Sequence, residues 1–249
     1  MIPAPHQAAT MRLYGERKQQ IFFSYMPLHR IFYNTLSVLK WPVALLSFAF
    51  LPSMVWALWQ EILGDLSALT FVFFGALAYA ALWWFSIRNW TISWLSTLEH
   101  ELTHCLFAWL TGNKVGEIKV TFRRGGHMVV IGSPNWLIDV APYFFPTVTV
   151  VLLLLAPLVP ALDVVVYQLA IGISLCYHIT SSMTETHEGQ TDLQKAGFLF
   201  CWMFLPTANL AALGLTLAGA NAGWPGISHW FNLLRESPWN TVVFKFIGM

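Results

Sequence analysis

The stretch of the 249-residue chain richest in chemistry is His100-Glu101-Leu102-Thr103-His104. On a helix, histidines four residues apart lie roughly 40° from each other around the axis, one turn above the other. Both imidazoles then face one point and can supply two ligands of a tetrahedral zinc. Glu101 flanks that face, where its carboxylate can take a proton from a water held by the metal. The bland alternative is a polar helix seam that hydrogen-bonds to its neighbours. A catalytic zinc also needs a third protein ligand and an open position for water. The other dense polar cluster runs from Thr184 to Asp192. Asp192 is the favoured third ligand, because it stands just before an apolar run and its carboxylate can point back toward the histidines. His187, Glu188, Glu185 and His178 remain alternatives. His127, beside Gly125 and Gly126, reads as a surface histidine.

The elements that must position these groups are membrane elements. Hydrophobic residues make up 57% of the chain, charged residues 10%, and the mean hydropathy is +0.59. A soluble globule of this size needs more charge to cover its surface. A net charge of +1, without a basic stripe, excludes nucleic acid as the main partner. Charge-poor runs of about 20 residues suffice to cross a bilayer core, and they place spans near 41–60, 66–87, 90–111, 136–160, 163–183 and 196–219. The third carries Glu99, His100, Glu101 and His104, groups that are costly at membrane depth and mark function there. Between the third and fourth spans, Ile118, Val120 and Phe122 alternate with Glu117, Lys119, Thr121 and Arg123. Gly125 and Gly126 follow, then Met128-Val129-Val130-Ile131, which predicts a β-hairpin with a Gly-Gly turn.

The fold class that follows is mainly α: a polytopic transmembrane bundle of about six spans with a short membrane-associated β-hairpin. Residues 1–40 read as an amphipathic interfacial segment bent at Pro27. Residues 41–220 form the membrane domain, with its metal-bearing core at about 90–220. Residues 221–249, with Trp224, Trp230 and Trp239, read as an interfacial tail. No cleavable signal peptide is expected. Cys105, Cys176 and Cys201 lie in apolar stretches and read as packing residues.

HExxH within a span, the run Arg123-Arg124-Gly125-Gly126-His127-Met128-Val129-Val130, two further spans and an Asp at the head of the next resemble the site-2 protease class of intramembrane zinc metalloproteases (M50 type). The resemblance covers roughly 90–220. It implies His100, His104 and an Asp as zinc ligands, Glu101 as general base and a membrane-protein substrate. The ligand Asp of that class belongs to an Asp-Gly motif; the matching stretch here reads Gln190-Thr191-Asp192-Leu193. A transmembrane substrate hides its carbonyls in helical hydrogen bonds. Once unwound, it can add as a strand to the hairpin edge, with Gly125 and Gly126 along its backbone.

Two other readings compete: a non-enzymatic membrane scaffold or partner subunit with a structural or degenerate metal site, and a membrane non-haem iron oxygenase. The second needs further histidine boxes, and His6, His29, His127, His178, His187 and His229 form none. The expected setting is a multi-pass protein of a bacterial cytoplasmic membrane, alone or as a homo- or hetero-oligomer. Basic-residue counts favour a cytoplasmic amino terminus, whereas the resemblance implies the opposite orientation.

Overall fold

The computed structural model describes residues 27–87, 92–121, 125–158 and 163–240. The expectations for residues 1–26, for the hairpin tip at 122–124 and for the end of the tail at 241–249 lie outside the described residues. The rest is mainly helical, with one two-stranded sheet. In chain order the helices are α1 (Pro27–Gly64), α2 (Thr70–Leu82, extended by a π-helical turn at Trp83–Ile87) and α3 (Ile92–Leu110). After the strands β1 (Lys114–Thr121) and β2 (Gly125–Ile131) come α4 (Trp136–Val140) and α5 (Thr147–Leu155). Then follow α6 (Val164–Glu185), α7 (Thr191–Ala196) and α8 (Phe198–Glu236).

Three helices among the described residues are long and apolar enough to cross a membrane: Leu28–Gly64, Val164–Glu185 and Phe198–Glu236. The six expected spans are therefore not six long apolar helices, and each departure has a cause. α2 is short. α3 is interrupted by the very polar groups that make it interesting. The 136–160 stretch breaks into Trp136–Tyr143 and Thr147–Leu158, bent by 79°, where Pro146 withdraws a backbone donor and bars helix at Phe145. If that bent pair is one crossing, the count of spans rises to four.

The expected boundary at residue 40 is not a break. α1 has 38 residues, about 57 Å at 1.5 Å per residue, and so runs well beyond one bilayer core. Its first turns are held by protein contacts: His29 Nδ1 lies 3.0 Å from Ser133 Oγ, and Trp136 Nε1 donates to the Leu36 carbonyl at 2.7 Å. Lys40 is accommodated over the rings of Trp41 and Phe200, at 5.9 and 5.2 Å.

α8 is kinked at Ala222 and Gly223, ahead of Pro225. Beyond the kink it packs back on its first half, with Gly214 receiving the Trp230 ring. Trp230 is thus buried rather than interfacial, while Trp224 and Trp239 stay exposed. The burial pattern is that of a membrane protein. Leu77, Leu154, Leu158, Leu199 and Trp202 face outward, and Glu99, Glu101, Thr103, His104, Gln168 and His178 lie inside. Cys105, Cys176 and Cys201 are free thiols.

α2 and α6 approach through glycines, the usual device for bringing membrane helices close. A Cβ at Gly172 would fall 1.9 Å from the Val72 carbonyl oxygen, and one at Gly75 would fall 2.2 Å from that of Leu169. Gly172→Val is expected to lower stability by at least ~1–3 kcal/mol, read as a fall in the thermal midpoint of the detergent-solubilised chain. Gly64→Ala, where nothing lies within 4 Å, is expected to leave the midpoint in place.

Candidate metal centre

α3 presents His100 and His104 on one face, ring centroids 4.7 Å apart. Each histidine is held by a different neighbour. His104 Nδ1 donates to the Ile138 carbonyl at 2.7 Å, which leaves Nε2 free to act as a ligand. That carbonyl is placed by the sequence just before it. Asn135 caps α4, its side chain accepting from Ile138 N at 3.3 Å. His100 meets the Tyr143 ring edge-on, centroids 5.3 Å apart.

Asp192 arrives from a segment distant in sequence, in the first turn of α7. Gly197, at φ 86°, takes a conformation that side chains disfavour and turns the chain from α7 into α8. Asp192 Oδ2 stands 3.7 Å from His100 Nε2 and 3.2 Å from His104 Nε2. The second oxygen, Oδ1, accepts from Lys195 Nζ at 3.0 Å. Burial opposes ionisation of Asp192, but the neighbouring His100 and His104 rings and a hydrogen bond from Lys195 hold its carboxyl well below the usual carboxylate range, so it stays anionic. The three ligand atoms of His100, His104 and Asp192 lie within 4.8 Å of one another and could hold one metal ion. In a tetrahedral zinc site with bonds near 2.05 Å, ligand atoms stand about 3.3 Å apart. The two Asp192 distances bracket that value.

The alternative third ligands lie elsewhere. His187 is exposed and accepts from Gly189 N through Nδ1 at 3.1 Å; Glu188 is also exposed. Glu185 accepts from Gln190 Nε2 at 2.7 Å. His178 is buried, with Nε2 3.5 Å from Ser182 Oγ. His127 is exposed on β2.

Glu101 is buried at 6% exposure and lies within electrostatic reach of His104, His100 and Asp192. Against it runs β2. The hairpin forms, antiparallel, with Thr121 opposite Gly125, Val120 opposite Gly126 and an irregularity between Val115 and Ile118. One expectation is corrected here: Gly125 and Gly126 are not the turn but the first residues of the strand. A Cβ at Gly126 would fall 2.9 Å from both Cγ and Oε1 of Glu101 and 2.8 Å from Thr97 Cγ2. The glycine is there for close approach, a meaning that glycine inside a strand commonly has.

The sequence marked Glu99 as costly at membrane depth but gave neither its partner nor that of Thr103. Glu99 Oε1 accepts from Val148 N at 3.1 Å, placing a carboxylate at the start of α5, where the helix dipole favours it. Thr103 Oγ1 donates to the Glu99 carbonyl and also meets Thr147 Oγ1. Glu99 and Thr103, four residues apart and so on one helix face, were visible signals. The Ile138 carbonyl had none, because any residue offers one.

The family described as Peptidase M50B-like matches residues 72–217. No curated protein and no solved structure matches the chain.

Asp192→Ala is expected to lower zinc retained per chain after dialysis by 10-fold or more, measured by atomic emission; full retention would assign the third ligand to another residue. Gly126→Val is expected to displace β2 from Glu101 without loss of zinc, read as faster backbone hydrogen exchange in 125–131.

Proposed function

Because the chain belongs to the Peptidase M50B-like family, we propose that it is an intramembrane zinc metallopeptidase that hydrolyses peptide bonds of membrane-protein substrates. The observation that carries this reading is the convergence of His100, His104 and Asp192 on one point, with buried Glu101 on the same helix. Two imidazoles and a carboxylate whose ligand atoms lie within 4.8 Å of one another suit zinc with one position left open. When bound, zinc would supply Lewis acidity, making a water easier to deprotonate and drawing charge from a carbonyl.

The chain's own residues do the rest. His104 is kept in orientation by the Ile138 carbonyl, and Lys195 holds the far oxygen of Asp192. Glu101 takes a proton from the attacking water as the water oxygen bonds to the peptide carbonyl carbon and the carbonyl π pair moves onto oxygen. It then delivers that proton to the amide nitrogen as the C–N bond breaks. The substrate lies extended along the two-stranded sheet, whose strand β2 passes Glu101 at Gly126. Pairing with the sheet replaces the helical hydrogen bonds the substrate gives up.

The membrane domain of this reading is multi-pass. α1, α6 and α8 cross the bilayer. α2, α3 and the bent pair of α4 and α5 complete a bundle of about six segments over 41–220. The shorter segments are those that surround the metal ligands, where protein rather than lipid satisfies the backbone.

Glu101→Gln is expected to leave zinc content and folding intact while lowering cleavage of a co-expressed membrane-protein substrate by about 10²–10⁴-fold. Stripping the metal with 1,10-phenanthroline is expected to stop cleavage, and zinc to restore it. Identical fragment patterns from wild type and the Gln variant would favour the scaffold reading instead.

A further inference from the structure

Tyr143 ends the 3₁₀ turn Ala141–Tyr143 that follows α4. It is 1% exposed, and its hydroxyl has no hydrogen-bond partner among the described residues. A buried hydroxyl without a partner is costly, and its place in a native fold calls for a cause. The buried hydroxyls of Tyr79 and Tyr177 also lack a hydrogen-bond partner among the described residues, but Thr180 lies near the first and Glu99 near the second. Tyr143 stands beside the metal ligands instead. Its ring packs edge-on against His100, and the carboxylates of Asp192 and Glu101 lie within electrostatic reach of its phenol.

The ring is firmly placed. Asn209 Nδ2, on α8, donates to the Tyr143 carbonyl at 2.9 Å, and Trp136, Phe200 and Leu205 share its core cluster. Tyr143 also lines a groove of about 730 Å³ between α6 and α8, whose other walls include His178, Ile179, Trp202 and Leu210. One residue therefore borders both a mostly apolar groove and the metal ligands, and it carries an unused donor.

We propose that the Tyr143 hydroxyl is a catalytic hydrogen-bond donor, aimed at the carbonyl oxygen of the scissile peptide as that oxygen takes up negative charge. The proposal rests on the peptidase reading above. A phenol held by packing needs no reorganisation when the charge develops, which is the condition under which such a donor is most effective. The substrate carbonyl supplies the acceptor that the described residues do not. Tyr143 forms no covalent bond in this role and transfers no proton.

The test uses the full chain in detergent micelles and Tyr143→Phe, which removes the hydroxyl and keeps the ring against His100. Turnover of a membrane-protein substrate is expected to fall about 10²-fold with KM unchanged. A second readout is independent of turnover. The chain loaded with Co(II) is titrated with acetohydroxamate, whose oxygens mimic the charged carbonyl, and followed by visible absorption. The Phe variant is expected to show the wild-type cobalt spectrum before titration and a Kd raised tenfold or more. Wild-type turnover in the Phe variant, or an unchanged acetohydroxamate Kd, overturns the assignment. A wild-type chain that cleaves nothing sinks the peptidase reading instead, and the hydroxamate comparison still decides the role of Tyr143.

Discussion

The structure depends on bringing two imidazoles and a carboxylate together inside an apolar bundle. Each is expensive to bury alone, because an ionised or unpaired polar group loses its hydration. Together, with Asp192 Oδ2 at 3.2 and 3.7 Å from the two histidine nitrogens, they form a donor set whose cost a divalent cation can offset. The contact spans 88 residues of sequence, so it ties the HExxH helix to the head of the last long helix. No local preference of the chain would hold those two segments in register.

Much of the neighbouring architecture serves that contact. α4 is too short to be stable by itself, yet its cap by Asn135 places the carbonyl that orients His104. Trp136 packs on Phe200 at 4.8 Å and donates to Leu36, so α1, α4 and α8 close around the Asp192 end of the site. On the opposite side, Glu99 and Thr103 bind the start of α5. The bend at Pro146 thereby becomes a useful feature, because it turns a helix N-terminus toward α3. β2 closes the remaining approach through Gly126. A two-stranded sheet is marginal alone, and here its packing against α3 supports it.

The outer surface follows from the solvent. In lipid, side chains such as Leu154, Leu158 and Trp202 gain nothing from burial and face outward. Interhelical contact must come from close packing, as at Gly75 and Gly172, or from polar pairs such as Ser96 with Ser181.

What the sequence determined by itself was local or compositional. Its apolar content made the chain a membrane protein. The four-residue step of His100 and His104 put both rings on one helix face, and period-two alternation made the hairpin. Each of these is a property of neighbours along the chain, so each was legible from residue types and spacing. Span count was less legible, because apolar composition does not reveal that Pro146 breaks one stretch or that α1 runs unbroken through Lys40. Only the tertiary structure decided that Asp192, and not His178, Glu185, His187 or Glu188, meets the histidines. It also decided that Gly126 lies against Glu101 and that the Tyr143 hydroxyl is left without a partner among the described residues. These facts depend on distances between segments far apart in sequence, which packing sets and spacing does not encode.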